Sequence, residues 1–301
     1  MAVAYLPYGQ PQKHFSEIGD VSLADVEWPL NDRPHGDHLS DLSEDDHVLM
    51  MSSSRVLSLR QSRLKCPVSV LLGEPPVIQR RLYAALPWFA SKFQHVFTHH
   101  TEMLQRLSNG TFLAFGGTFI PDDPIKPFPE KPSRISLIAS SKNCTSGHRL
   151  RHRIVKWSKR ESPDLNALGL GYQPIEDKAD GHLPYLFSVV IENTQSPGWF
   201  TEKLIDSLLC HSLPIYWGAP DIGHFFDPRG MIRCRNEWEL KKAIQSLTQA
   251  DFDRRRRYLE ENRLRALEYL DYPCRAAEFL AGAVSGGSSV GGVGELADRA
   301  A

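Results

Sequence analysis

Residues 185–226 read YLFSVVIENTQSPGWFTEKLIDSLLCHSLPIYWGAPDIGHFF. Leu186 to Ile191 is an apolar, β-branched-rich run, short enough for a fully buried strand. A polar loop follows, with Pro197 and Gly198 as breakers. Thr201 can cap a helix that begins at Glu202-Lys203, and Leu204, Ile205, Leu208 and Leu209 form one helical stripe. Leu213 to Trp217 is a second buried strand and ends in a Gly-Ala-Pro turn. Strand, helix and strand, with both strands apolar throughout, make a βαβ unit in a parallel sheet. Ligands bind such sheets at the carboxyl ends of the strands. Glu192, Asn193, Glu202 and Lys203 fall on that edge.

The chain of 301 residues is long enough for two domains. Its 41% hydrophobic and 24% charged residues are ordinary for a soluble globular enzyme. A formal net charge of -1 supplies no field for nucleic acid or an anionic membrane. No apolar run approaches the ~20 residues of a membrane span, and MAVAYLPYGQPQKH lacks the order of a signal peptide. Five cysteines without close pairing suggest reduced thiols in a cytosolic protein.

Outward from the central unit, strands are expected at 47–51, 68–72, 93–98 and 112–115, with helices over 78–93 and 101–107. Pro87 is expected to end or kink the first of these helices. Residues 120–133, IPDDPIKPFPEKPS, hold five prolines and have the composition of a linker. They divide the chain into an N-terminal α/β domain (1–125), a C-terminal α/β domain (126–283) and a Gly/Ser-rich tail (284–301) expected to be disordered. The second domain should contain a strand at 134–139, a basic helix at 148–160, a loop over 162–184, and a strand at 231–234. A helix capped by Asn236 and a long helix over 251–281 complete it. Neither domain carries a P-loop or a G-x-G-x-x-G fingerprint, so a bound nucleotide must be held by other means.

Lys203 stands in the first turn of a helix, where a cation is disfavoured by about 0.3–1 kcal/mol. A phosphate resolves the conflict, because helix N-termini collect anions. The alternative is a solvated lysine offset by Glu202. Arg149, Arg151 and Arg153 form a basic cluster with Lys142 and His148, and helical spacing puts Arg149 and Arg153 on one face and Arg151 on another. One arginine from this cluster suits diphosphate recognition. Glu74 follows a buried strand, and Pro75 restricts it to extended geometry. A carboxylate fixed there can serve as a general base, or it can be an inert loop residue. The twelve histidines form no metal signature. Asp251-Phe252-Asp253 has the D-x-D form used for divalent metals but opens a helix, where acidic residues suit the dipole. Arg254 to Arg257 are followed within a turn by Glu260 and Glu261, which favours a solvated helix over a nucleic-acid surface.

FSVVIENTQSPGWFTEKLIDSLLCHSLPIYWGAPDI resembles the signature of the α1,3/4-fucosyltransferases, glycosyltransferase family 10. SLIASSKNCTSGHRLRHRIV, the loop 164–178 and VLLGEPP agree more weakly with the same family, so the resemblance spans roughly residues 66–280. It implies an α/β fold of GT-B type, two Rossmann-like domains facing a cleft. It implies inverting transfer from a GDP-sugar, usually GDP-β-L-fucose, to a glycan acceptor, with no essential metal or other cofactor. Carried over by position, Glu74 is the general base. Arg149 and Lys203 hold the diphosphate, Glu202 holds the sugar, and Glu192 and Asn193 shape the donor pocket. The family usually has Tyr two positions before the Thr, and Trp199 stands there instead, which leaves the identity of the donated hexose open. A catalytically degenerate glycan- or nucleotide-binding module is a further alternative. The compartment expected is the cytosolic face where nucleotide sugars are made, with peripheral attachment to a membrane left open.

Overall fold

The computed structural model describes residues 1–8, 16–53, 55–120 and 128–284. They form two compact units, Met1–Leu113 with the segment from Tyr272 onward, and Ala114–Asp271.

The first unit is built on a five-stranded parallel sheet in sequential order. Its strands are β1 (Val3–Leu6), β2 (His47–Met51), β3 (Val68–Leu71), β4 (Val96–Thr98) and β5 (Gly110–Phe112). β1 was not expected from the sequence, since Val-Ala-Tyr-Leu is only four residues long in a weakly patterned region. The expected strand at 112–115 lies earlier, at 110–112. Helix α1 (Arg80–Phe89) runs through Pro87 instead of ending there, then tightens into a 3₁₀ turn at Ala90–Lys92. Helix α2 (Thr101–Arg106) follows β4.

The second unit is also a five-stranded parallel sheet. It contains β6 (Ser133–Ile138), α3 (Ser146–Glu161), β7 (Leu165–Leu168), β8 (Tyr185–Ile191), α4 (Glu202–Leu209), β9 (Leu213–Trp217) and β10 (Ile232–Arg233). The strand order is β10-β9-β8-β6-β7. The βαβ unit expected from residues 185–226 is present as β8-α4-β9, with Ile191 beside Trp217 at its carboxyl end. All seven residues of β8 and all five of β9 are buried, which explains why neither alternates polar with apolar. Leu204, Ile205 and Leu208 of α4 are fully enclosed, each stabilising the unit by about 1.5–3 kcal/mol relative to an exposed side chain. β7 was missed because its burial is broken at Asn166 and Ala167, which leaves no apolar run to read. Helices α5 (Glu237–Ser246) and α6 (Gln249–Ala266) complete the unit. Asn236 caps α5 by accepting the Glu239 amide at 3.0 Å, as its sequence signature predicts.

The domain limits differ from those expected. The helical stretch expected over 251–281 ends its first helix at Ala266, passes through a 3₁₀ turn at Leu267–Tyr269, and resumes as α7 (Tyr272–Val284), which belongs to the first unit. Ala276, Ala277 and Leu280 pack into a core with Val3, Tyr5, Leu49, Leu71 and Phe97. A stripe of small apolar residues shows which face is buried but not which sheet it covers. The first unit therefore ends at Leu113 and resumes at Tyr272. The boundary expected at 125/126 and the tail expected to be disordered lie in or beyond segments outside the described residues. Among those described, no helix is long and apolar enough to cross a membrane.

Candidate functional site

In the second sheet the chain leaves β6 for β7 on one side, while β8 lies on the other side of β6. This is a topological switch point, and the crevice beyond the carboxyl ends of β6 and β8 is the favoured ligand site of such a sheet. Two segments border it, 139–145 leading into α3 and 192–201 leading into α4.

Both helices begin at this crevice, and Glu192 ties them together. Its carboxylate is fully enclosed and accepts the Thr201 amide at 2.9 Å and the Thr201 hydroxyl at 2.8 Å. Burial raises the Glu192 pKa, Glu202 adds to the rise, and Lys203 and the two Thr201 bonds oppose it. Thr201 in turn caps α4, its Oγ1 receiving the Lys203 amide at 3.5 Å and the Lys203 ammonium at 3.2 Å. On the other side, the start of α3 is pressed against the same strand end. The Gly147 amide donates to the Asn193 carbonyl at 3.1 Å. A Cβ on Gly147 would lie 1.8 Å from the Glu192 carbonyl oxygen, so only glycine permits this approach. Thr145 caps α3, with His148 returning its Nδ1 to the Thr145 amide at 3.3 Å. Burial, followed by Arg151, Lys142 and Lys203, pushes the His148 pKa down to about 4, so the ring is neutral and able to accept that bond.

Two helix N-termini thus converge on one strand end, each bringing the positive end of its dipole to the crevice. The cations around them differ in role. Lys203 Nζ is 2.6 Å from Glu202 Oε1, with both side chains partly exposed. Burial pushes the Glu202 carboxyl up, and Lys203, joined by hydrogen bonds from Thr201 and the backbone, outweighs it, leaving the group below its ordinary range. Arg149 stands exposed in the first turn of α3. It forms no ion pair among the described residues, and its Nη1 donates only to the Cys144 carbonyl at 3.3 Å. An exposed arginine without a carboxylate, in the first turn of a helix, is free to take an anion.

Sequence reasoning set Arg151 apart on another face, and the structure gives it a part of its own. Its guanidinium is buried and donates through Nε to the Ile191 carbonyl at 2.9 Å and through Nη2 to Asn193 Oδ1 at 3.2 Å. Nη2 also reaches the Ile191 carbonyl. Arg151 is therefore the internal counter-charge of the crevice, holding the strand end that Glu192 and Asn193 occupy. The signal in the sequence was the i, i+4 pair Gly147 and Arg151. Glycine for close approach and arginine for the exposed carbonyls fall on one helical face.

Trp199, expected on the donor pocket, is a core residue with 2% of its surface exposed. Its ring lies 5.8 Å from that of Phe115, and its carbonyl accepts the Tyr216 hydroxyl at 3.5 Å.

Glu74 lies in the first unit, half-buried beyond the carboxyl end of β3. The Tyr83 hydroxyl donates to its carbonyl at 3.0 Å, which fixes the backbone of the turn into α1. Asp251 completes the cap of α6 with Thr248, and Phe252 is buried, so the D-x-D sequence is helix-terminal structure. Arg254 pairs with Asp251, Arg257 pairs with Glu261, and Arg256 stacks on Phe128, so the arginine run has structural partners. Among the described residues, no three His, Cys, Asp or Glu side chains are gathered as a metal site would require.

The fold is that of the GT-B glycosyltransferases, two Rossmann-like parallel sheets, and known structures share it. A variant of S. aureus TarM, in complex with fondaparinux, α-GlcNAc-glycerol and UDP, is similar with a TM-score of 0.57 and 9% identity, over 81% of this chain and 56% of that one. The α,α-trehalose 6-phosphate synthase of Burkholderia multivorans is similar with a TM-score of 0.54 and 10% identity, over 82% of this chain and 74% of that one. In sequence, the chain is similar to the α-(1,3)-fucosyltransferase FucT of Helicobacter pylori, 36% identical over 75 residues. That match covers 25% of this chain and 16% of the bacterial protein. No family model matches the chain.

Proposed function

We propose that this chain is an inverting glycosyltransferase that moves a sugar, L-fucose from GDP-β-L-fucose, onto a hydroxyl of a glycan acceptor. The observation that carries the reading is the crevice at the β6/β8 switch point, where two helix N-termini meet Arg149 and Lys203. The local resemblance to a fucosyltransferase supports the choice of sugar.

Arg149, Lys203 and the positive dipole ends of α3 and α4 hold the diphosphate. They balance the charge that grows on it as the bond to C1 of the sugar breaks, which is the work a metal does elsewhere. The Lys203–Glu202 pair rearranges when the diphosphate arrives. Lys203 turns to the phosphate, and Glu202 is freed to accept a sugar hydroxyl. Glu192, Asn193 and Arg151 keep the strand end and both helix starts in register. Glu74 takes the proton from the acceptor hydroxyl as its oxygen attacks C1 from the face opposite the leaving GDP. A second reading is the same reaction with another nucleotide-hexose, since the sequence similarity to a fucosyltransferase covers only 25% of this chain.

Transfer assays with GDP-fucose, GDP-mannose and UDP-sugars separate these readings, and GDP-fucose is the expected donor. Glu74→Ala should lower turnover about 10²–10⁴-fold while leaving GDP binding intact. Turnover of a UDP-sugar alone would overturn the donor. Unchanged turnover in the variant would remove Glu74 from the mechanism.

A further inference from the structure

A hollow of about 240 Å³ lies at the carboxyl end of β7, lined by Gly169, Leu170, Pro174, Ile175, Glu176 and Lys178. It is smaller than the ~300–1,000 Å³ of a site that encloses a whole ligand, and so suits one moiety of a larger one. Its walls are mainly apolar, yet Leu170 is 74% exposed. Among the described residues, the Glu176 and Lys178 side chains form no hydrogen bond or ion pair with the protein. Side chains so placed are ready for something other than the fold.

The hollow is a built feature. The Gly169 amide donates to the Gln173 carbonyl at 2.7 Å, and the Tyr172 amide to the Gly169 carbonyl at 3.0 Å, closing a tight turn. Gly169 adopts φ 98°, and a Cβ there would meet the Ala139 carbonyl at 2.6 Å. The turn is thus pressed onto the segment that borders the crevice. His152 locks the two together. Its Nε2 faces the Lys142 carbonyl at 2.9 Å and must donate, so Nδ1 accepts the Tyr172 hydroxyl at 2.5 Å.

The spacing has a meaning. β8, β6 and β7 are consecutive in the sheet, and neighbouring strands are ~4.8 Å apart, so the end of β7 lies about 10 Å from the anion cradle at the end of β8. A nucleoside diphosphate lying across the carboxyl edge would put its diphosphate at β8, its ribose over the 139–145 segment, and its base at β7.

We propose that this hollow receives the base of the donor nucleotide and that Glu176 selects guanine. The proposal rests on the nucleotide-sugar reading above. Leu170 and Ile175 offer apolar surface to a base plane. A carboxylate is an acceptor only, with two oxygens side by side. Guanine presents two adjacent donors, N1–H and the 2-amino group, which match it. Uracil offers one N–H flanked by two carbonyl oxygens, which the carboxylate repels, and adenine presents an acceptor at N1.

Titration calorimetry of the full chain with GDP, inosine diphosphate, UDP and pyrophosphate tests this. Inosine diphosphate lacks only the 2-amino group. The parent should bind GDP most tightly, then inosine diphosphate, then UDP. Glu176→Gln should weaken GDP about tenfold, bring GDP and inosine diphosphate to nearly equal affinity, and leave pyrophosphate unchanged. Leu170→Ser should weaken GDP and inosine diphosphate together while sparing pyrophosphate. Undiminished GDP affinity in Glu176→Gln, or an equal loss of GDP and pyrophosphate, would overturn the base pocket alone. No nucleotide binding by the parent, or preference for UDP, would overturn the donor reading and the pocket with it.

Discussion

Alanine normally stabilises a helix relative to glycine by roughly 0.5–1 kcal/mol, so a Gly→Ala change in a helix usually raises the melting temperature. Gly147→Ala should do the opposite. A Cβ at Gly147 would sit 1.8 Å from the Glu192 carbonyl oxygen, 2.9 Å from the Glu192 carbonyl carbon and 3.0 Å from that of Asn193. All three are backbone atoms of a buried strand end, and none can rotate away. Relief therefore requires the start of α3 to withdraw by roughly 1.5 Å to reach ordinary contact. That shift breaks the Gly147–Asn193 bond of 3.1 Å and pulls Arg151 Nε away from the Ile191 carbonyl it meets at 2.9 Å. Overpacking costs about 1–3 kcal/mol, and a buried carbonyl left without its donor about 1–3 more. A loss of about 3 kcal/mol corresponds to a fall of about 6–12 °C at the usual 2–4 °C per kcal/mol for a unit of this size. Gly282→Ala is the internal control. It lies in α7 with nothing within 4 Å of the added Cβ, and should be neutral or stabilising. Calorimetric melting of parent and both variants reads the two signs directly, and GDP titration should show weakened binding for Gly147→Ala alone. A Gly147→Ala variant as stable as the parent would refute the close approach of α3 to β8, and the convergence of helix N-termini with it.

Two further changes probe the same unit. Arg151→Met removes a buried cation from the Ile191 carbonyl, Asn193 Oδ1 and the field of Glu192 and Glu202. Urea denaturation should show a loss of about 3–5 kcal/mol, and Arg151→Lys should not restore it, because an ammonium cannot fork between the two acceptors. Burial pushes the Asp206 carboxyl up to about 7, against bonds from the Thr118 hydroxyl and the Phe119 amide, so the folded state keeps a proton that the unfolded chain has lost. Stability should fall as pH rises from about 4 to 7, by at most about 4 kcal/mol. Asp206→Asn should flatten that slope, melting like the parent near pH 4 and several degrees higher at pH 8.

What the sequence makes legible here follows from how far each interaction reaches along the chain. The β8-α4-β9 unit is legible because its strands are buried on both faces and its cap, Thr201, is only nine residues from its partner Glu192 at the strand end. Apolar runs and a Thr-Glu-Lys start record all of that locally. β1 and β7 are four residues each and hold their places through neighbours 44 and 30 positions away, so no local pattern marks them. The fate of α7 is decided by the first sheet, to which its sequence gives no address. In the site, Glu192, Asn193, Glu202 and Lys203 could be placed at the carboxyl edge of the sheet from apolar runs and capping alone. The division of labour among the arginines could not. Arg149 and Arg151 are two residues apart on one basic helix, and only the approach of Gly147 to β8 decides which is buried and which meets solvent. The surroundings of Trp199 were hidden for the same reason. Its position in a motif suggested contact with the ligand, but an indole beside Phe115 gains more by burial than a phenol would, and the chain turns it inward. If packing rather than contact is how position 199 acts, then Trp199→Tyr should change stability more than it changes the choice of donor sugar.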